Sequence, residues 1–169
     1  MQTQHLRATL ISQKAAADYL RNSSSLFGIF DAAKDQRVSM LAERSGENAV
    51  CMYNGDAAAN LQHVAPYIIE FQGCSDLLDL SIEMGMQNHW GLWFESAMDL
   101  AACKSHFRKF YRIQFPKPDS RWVYFRFFDP RVFVPFLETC DAQQTEDITK
   151  GISTVICQGQ KENCLFYKF

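Results

Sequence analysis

The chain has 169 residues, of which 47% are hydrophobic and 14% aromatic, and it carries a formal net charge of -2 with a pI near 6.1. This composition predicts one folded domain with a sizeable core and excludes a disordered chain. The near-neutral charge provides no global attraction to nucleic acid or to an anionic membrane. No run reaches the length of a membrane span and the start lacks a signal-peptide core, so we expect a cytoplasmic protein.

Apolar periodicity predicts helices and strands in mixed order along the chain. The predicted helices are His5–Leu20, Val38–Ala42, Cys74–Met84 and Ala97–Phe110, the last capped by Ser96. The predicted strands are Leu26–Phe30, Ala49–Tyr53, Val64–Phe71, Trp90–Phe94, Tyr111–Phe115, Trp122–Phe128, Gly151–Cys157 and Cys164–Phe169. A turn is expected at Asn54–Asp56, and a polar connector at Asp141–Asp147.

These elements predict an α/β (α+β) domain with helices packed on a mixed β-sheet and a central antiparallel hairpin over Tyr111–Phe128. Strand order does not follow from the pattern. We expect residues 1–140 to form the core and residues 141–169 a short C-terminal extension, a β-hairpin of the same domain. The last strand is strongly aromatic and would offer a docking surface if it lay at a sheet edge.

Residues 122–140 are the most informative stretch. The aromatic alternation from Trp122 onward is typical of an interior strand covered on both faces. Asp129 and Pro130 then predict a helix start, with aspartate as the N-cap and proline at the first helical position, while Pro135 interrupts the helix further on.

Two arginines in this stretch are not explained by folding alone. Arg126 lies mid-strand among aromatic residues, and Arg131 lies in a first helical turn, where the macrodipole disfavours a cation. The interpretation we favour is structural: Arg126 stacks on rings and pairs with a carboxylate, and Arg131 bridges to another element. Direct ligand binding is the alternative. Asp31, at the end of the first buried strand, is expected to cap a turn or to pair with one of these arginines.

No motif for catalysis or metal binding is present. The six cysteines are scattered without a Cys-x-x-Cys pair, which argues against a zinc site, and most are expected to be free buried thiols. The four histidines occur outside the usual nucleophile and metal motifs, and there is no phosphate-binding loop. We therefore expect no cofactor and no enzyme, although a hidden site such as Cys51 or Cys74 near His63 stays open.

One basic cluster is interleaved with aromatic residues, a pattern that can bind RNA. It consists of Lys104, His106, Arg108, Lys109 and Arg112, with Phe107, Phe110 and Tyr111 between them. The alternative is that these cations complement a helix C-terminus. Without a net positive charge we favour the alternative, and no nucleic acid or membrane partner is expected.

The segment Phe125-Arg-Phe-Phe-Asp-Pro-Arg-Val132 closely resembles the signature of the bacterial type VI secretion adaptor or effector-chaperone family (domain of unknown function 4123). Three earlier segments, in the family's usual order, are also similar to it. They are Gly28–Ala33, Ala65–Ile69 and Trp90–Ser96. The resemblance spans about Leu26 to Cys140.

The resemblance implies a cytoplasmic bacterial adaptor that binds a toxic effector and helps load it onto the spike protein of the secretion apparatus. It implies binding without turnover or cofactor, through aromatic and arginine anchors with a polar rim. The residues that fall in the matching segments, and are expected to form the cleft or to contact a partner, are Asp31, Trp90, Trp93, Arg126, Asp129 and Arg131. A small hydrolase or transferase, or an RNA-binding module that uses residues 104–112, remains the alternative.

Overall fold

The computed structural model describes residues 8–73, 75–114 and 117–169. That part of the chain forms nine strands and seven α-helices. In chain order they are β1 Thr9–Ser12, α1 Gln13–Arg21, β2 Leu26–Asp31, α2 Gln36–Ser45, β3 Ala49–Cys51, α3 Gly55–Leu61, β4 Pro66–Glu70, α4 Ser75–Asn88, β5 Gly91–Ser96, α5 Leu100–Phe107, β6 Arg112–Gln114, β7 Trp122–Tyr124, α6 Pro130–Thr139, α7 Ala142–Thr149, β8 Ile152–Gln158 and β9 Asn163–Lys168.

Seven of the strands form one sheet in the order β1-β9-β8-β5-β2-β4-β3. Neighbouring strands are antiparallel at each of these pairings among the described residues. The expected α/β domain with helices packed on a sheet is confirmed, but the sheet is antiparallel at every described pairing and not mixed. Strand order, which the sequence left open, places β5 and β2 near the middle, where each has a strand on both sides.

Each face of the sheet is covered by a separate apolar core. One core packs Trp93, Phe30 and Ile156 against α1, α2 and α4. The other packs Phe94 and Val155 against the buried sides of α5, α6 and α7. Because the sheet is covered on both sides, β2 is buried along its whole length and contains no polar side chain before its last residue, Asp31.

The hairpin β6–β7 exists but forms its own two-stranded sheet, separate from the seven-stranded one. The predicted strand Trp122–Phe128 ends at Tyr124, and the backbone turns where the Asp129 N–H donates to the carbonyl of Arg126 at 2.9 Å. The prediction of an interior strand was therefore wrong for this ribbon. Trp122 and Tyr124 are exposed, whereas the three phenylalanines that follow are buried in the second core: Phe125, Phe127 and Phe128.

Several helix boundaries differ from prediction because an unrecognised polar residue provides the cap. Ser12 starts α1 by accepting from the Ala15 N–H, so part of the predicted helix His5–Leu20 is instead β1, paired with β9. Residues 5–7 of that prediction lie outside the described residues. Asp99, and not Ser96, caps α5.

Two further stretches that were predicted as a turn and a connector are helical. The turn predicted at Asn54–Asp56 is the start of α3. The connector predicted at Asp141–Asp147 is the capped start of α7, in which the Asp141 and Gln144 side chains satisfy each other's backbone N–H groups.

The two final strands are confirmed as β8 and β9, which pair with each other. The aromatic strand β9 is not at an edge, since β1 covers its other side. A docking role was expected for β9 only if it lay at a sheet edge, and it does not. No helix in the described segments is long and apolar enough to cross a membrane.

A glycine at the start of β5 permits the close approach of β2. A Cβ atom on Gly91 would lie 1.8 Å from the carbonyl oxygen of Ile29. That oxygen belongs to the backbone of the central strand, so it cannot swing away as a side chain could. The register of the two strands at the centre of the sheet therefore requires glycine at this position.

Candidate functional site

The carboxylate of Asp31 binds the guanidinium of Arg126 at the end of β2. Nη2 of Arg126 donates to Oδ2 of Asp31, and the Ala33 N–H donates to Oδ1 at 3.0 Å. The Asp31 side chain is only 3% exposed, whereas that of Arg126 is 39% exposed. The pair predicted from the sequence is confirmed, with Arg126 as the partner, and it ties the signature segment to the central sheet.

Asp129 is the N-cap of α6, as predicted. Its Oδ1 accepts hydrogen bonds from the N–H and Nε of Arg131, both at 3.0 Å, and its Oδ2 accepts from Nη2 of Arg131 at 2.7 Å. Nζ of Lys34 lies 3.3 Å from the same Oδ2. Asp129 therefore neutralises the cation that the helix dipole would disfavour, and it links α6 to the loop after β2.

The environment of Asp129 favours its charged form. Burial alone would raise the pKa of this carboxyl, but hydrogen bonds from the side chain and backbone of Arg131, with the charge of Lys34, lower the pKa to about 2. Asp129 is thus a permanent anion at neutral pH and an anchor for two cations.

We use the name charged cluster for five residues: Asp31, Lys34, Arg126, Asp129 and Arg131. Its two carboxylates are buried, and its cations are the parts that reach solvent: Arg131 is 55% exposed and Lys34 25%. The exposed surface of the charged cluster is therefore cationic, while the anions below it fix the positions of the arginines.

Trp90 lies just beneath the surface beside this cluster. It is fully buried, its Nε1 donates to Oδ2 of Asp35 at 3.1 Å, and the guanidinium carbon of Arg37 lies 5.5 Å from its ring centroid. Its carbonyl accepts the backbone N–H of Asp31 at 2.9 Å. Trp90 thus joins β5 to the cluster from inside the domain and has no surface for direct contact with a partner.

Trp93 lies apart from the charged cluster. It is fully buried in the core beneath α4, and its Nε1 donates to the Ser81 hydroxyl at 3.1 Å. Of the six candidate residues, the structure brings together Asp31, Trp90, Arg126, Asp129 and Arg131. Trp93 belongs to the same apolar core as Trp90 but bonds to α4 and not to the charged cluster. Only the two arginines among the six have substantially exposed side chains.

A groove of about 790 Å³ runs from the cluster between α6 and the turn that joins β8 to β9. Arg131, His89, Pro135 and Leu165 are among the residues that line it. His89 has a backbone φ of 50°, and its N–H donates to Oε1 of Gln158 at 2.9 Å. Burial, followed by the charge of Arg131, lowers the pKa of His89, so its ring is neutral beside the arginine.

Lys34 and His89 were not predicted from the sequence as site residues. Lys34 lies three residues beyond the end of β2, in a loop whose path the periodicity does not define. His89 follows α4 in a left-handed conformation that histidine adopts rarely, and no motif marks it. Lys34 pairs with Asp129, the predicted N-cap, but this pairing is a contact between distant segments and cannot be read from the sequence.

The basic cluster at the end of α5 lacks the free rings that RNA stacking would need. The ring of Phe110 packs on Phe127 and His106, with centroids 6.5 and 5.3 Å away. Tyr111 is held by Tyr53, Tyr124, Phe127 and Phe128. His106 itself is buried, and its Nε2 lies 2.9 Å from the carbonyl of Ile148. Only the cations Arg108, Lys109 and Arg112 are exposed.

The buried thiols are poor nucleophiles. Burial raises the pKa of Cys103 to about 11 and that of Cys164 to about 11. Cys51 and Cys140 are half-buried, and Cys74 lies outside the described residues. No group of three His, Cys, Asp or Glu side chains is arranged for a metal ion in the segments that the structure describes.

The fold and the site together define a small α/β domain whose surface cluster is built from buried carboxylates and exposed arginines. Residues 26–147 match the family model described as Domain of unknown function (DUF4123). Because the match covers most of the chain, this chain belongs to that family. Comparison with curated proteins and with solved structures returned no match.

Proposed function

We propose that this protein is an adaptor that binds a toxic effector and helps to load it onto the spike protein of a type VI secretion apparatus. The proposal rests on membership of the family, which the sequence resemblance associates with that role. It places the protein in a bacterial cytoplasm and describes a role in binding, without turnover.

The arrangement of the family signature is the observation that carries the proposal. Arg126 is held by the buried carboxylate of Asp31, and Arg131 by that of Asp129. Both guanidinium groups reach the surface. Arginines whose geometry is fixed in advance lose little entropy on binding, and they are enriched among interface residues that dominate affinity. The adjacent groove supplies apolar surface next to these charges.

The test is co-expression of this chain with the products of the neighbouring genes, followed by purification on a tag fused to this chain. A stable complex with a large toxin-like protein, with a spike protein or with both is the expected result. A well-folded chain that retains none of these products would contradict the proposal.

Arg131→Ala then asks whether the charged cluster belongs to the interface. In this variant Asp129 still accepts the backbone N–H of residue 131 and still pairs with Lys34, so the domain should stay folded. The variant should retain less effector than the wild type. Arg21→Ala is the matched control, since Arg21 is 49% exposed and also bonded to an aspartate, Asp79, at 2.7 Å. Undiminished binding by folded Arg131→Ala would limit the cluster to a structural role.

A further inference from the structure

The β6–β7 ribbon exposes two aromatic side chains on one face. Trp122 is 61% exposed and Tyr124 46% exposed. In the antiparallel register Trp122 lies opposite Gln114, and Tyr124 lies opposite Arg112. Directly opposed residues project to the same face, so these four side chains form one surface, which we name the ribbon face.

Both long edges of the ribbon are also free of strand neighbours. The ribbon contains two strands only, and the structure pairs neither with a third strand within the described residues. Three-residue strands contribute few backbone groups, so an added segment would be held mainly by side chains, with a few main-chain hydrogen bonds setting its direction.

Basic residues are concentrated in the part of the sequence that contains this ribbon, where Arg121 pairs with Asp119 and Arg126 with the buried Asp31. Residues 104–126 contain seven Lys and Arg against one acidic residue, Asp119. The whole chain has 17 basic and 19 acidic residues, so the remaining residues hold ten basic and 18 acidic ones. Arg108, Lys109 and Arg112 are exposed on the approach from α5 to β6. This local field attracts an anionic partner that the protein as a whole does not attract.

We infer that the ribbon face is a docking site for an acidic segment of a partner protein that also carries apolar side chains. The apolar groups would cover Trp122 and Tyr124, and the carboxylates would meet Arg112 and the neighbouring cations. The ribbon face combines an exposed tryptophan with an arginine, Arg112, and these residue types are enriched among those that dominate binding energy at protein interfaces. For the identity of the partner, the inference rests on the proposed adaptor function.

A protein segment fits this face better than a single-stranded nucleic acid does. Stacking of successive bases needs several accessible rings along a cationic groove. Among the rings that the structure describes in this region, Trp122 is the one that is strongly exposed; Tyr124 is engaged edge-on by Tyr111 at 5.5 Å, and Phe110 is packed inward. One ring with flanking cations suits one apolar anchor with flanking carboxylates.

Tryptophan fluorescence gives a direct test, because the chain has three tryptophans and the other two, Trp90 and Trp93, are fully buried. The probe is a twelve-residue peptide in which Glu alternates with Leu. Its controls are the same peptide with Lys in place of Glu, and a twelve-nucleotide single-stranded RNA. We expect the acidic peptide alone to shift the emission to the blue and to protect it from acrylamide.

Matched variants distinguish binding at the ribbon face from non-specific binding elsewhere on the surface. Trp122→Ala and Arg112→Glu should each weaken binding of a fluorescein-labelled acidic peptide by roughly tenfold or more, with Trp122 the larger effect. Met40→Ala, at a residue 56% exposed on α2, and Arg44→Glu, in the last turn of α2, should leave affinity unchanged. Raising the salt concentration should weaken the peptide complex and leave the fold intact.

The outcomes distinguish this inference from the proposed function. Absence of acidic-peptide binding, or equal loss in the α2 variants, overturns the ribbon site even if an effector co-purifies. Tighter binding of the RNA would assign the face to nucleic acid, and self-association that Arg112→Glu abolishes would assign it to a second copy; both overturn the inference. If an effector co-purifies, its retention should fall with Trp122→Ala, and retention equal to wild type would likewise overturn it.

Discussion

Arg126 and Asp31, 95 residues apart in the sequence, form an ion pair in which only the arginine reaches solvent. The pair joins the family signature to the end of a central strand. Since the carboxylate is buried and the guanidinium is partly hydrated, the two partners contribute unequally to the stability of the domain. Removing one is not equivalent to removing the other.

We expect Arg126→Met to destabilise the domain by about 3 kcal/mol, because it leaves a buried carboxylate with the Ala33 N–H as its remaining bond in the described structure. Asp31→Asn should cost about 1 kcal/mol, since the arginine it frees can be hydrated and the amide oxygen can still accept the N–H. Urea unfolding followed by circular dichroism measures both. Equal losses would contradict the asymmetry, and the double variant should lose less than the two single losses combined.

The low pKa of Asp129 predicts a specific dependence of stability on pH. The carboxyl titrates near 3.8 when unfolded and near 2 when folded, so its contribution is fully present above about pH 5 and is lost as the pH falls toward 2. The contribution is roughly 1 to 2 kcal/mol, reduced by the solvent exposure of Arg131.

Asp129→Asn tests this, because asparagine is also a good N-cap. The substitution keeps one accepting oxygen but removes the charge and the second oxygen, which faces Arg131 and Lys34. The variant should lose stability at pH 7, and its free energy of unfolding should change less than that of the wild type between pH 5 and pH 2. Asp141→Asn, at the exposed cap of α7, is the control. A variant whose pH profile parallels the wild type would rule out the Asp129 contribution.

Gly91→Ala should prevent normal folding or reduce stability by more than 3 kcal/mol, as its Cβ would overlap the Ile29 carbonyl oxygen of the neighbouring strand. Gly28→Ala is the graded comparison: its Cβ meets the Phe30 ring, 2.3 Å away, which can rotate at a smaller cost. Thermal unfolding of the two variants ranks them. A Gly91→Ala protein as stable as the wild type would show that β2 and β5 separate easily.

His106 predicts a second pH effect, opposite in cause to that of Asp129. Burial lowers the pKa of His106 below its ordinary 6.5, so the folded state holds it neutral. Its contribution is complete above about pH 6.5 and decreases as the pH falls below that value. His106→Gln should flatten the stability profile between pH 7 and pH 5, which urea unfolding at a series of pH values measures. His89, whose pKa is also lowered, accounts for a remaining slope.

Local chemistry predicted the site better than the large-scale pattern predicted the sheet. Asp129 followed by Pro130 defines a helix start through cap geometry alone, and an aspartate at a strand end in a chain with two unexplained arginines indicates a pair. Both predictions were correct. By contrast, residues 125–128 show the same aromatic alternation as the strand before them, so the sequence predicted a continuous strand. In the structure a turn, closed by the hydrogen bond from Asp129 to Arg126, buries the three phenylalanines instead.

The other failures share a tertiary cause. Ser12 and Asp99 each start a helix, but apolar spacing could be extended past both caps, so the predicted helices began too early. Trp90 and Trp93 lie on one predicted strand and in one apolar core, and nothing in their spacing indicates that only Trp90 also contacts the charged cluster. Such assignments depend on which helix covers each face, and therefore on contacts between distant segments.

The position of β8 has a consequence for the order in which the domain can fold during synthesis. β8 lies between β9 and β5, yet it is made after α7, whereas β5 is made about 60 residues earlier. Until residues 152–158 leave the ribosome, one edge of β5 and the apolar surfaces of Phe94 and Trp93 beside it have no strand partner there. Such an intermediate is open to aggregation, so rapid closure by the β8–β9 hairpin protects the nascent protein.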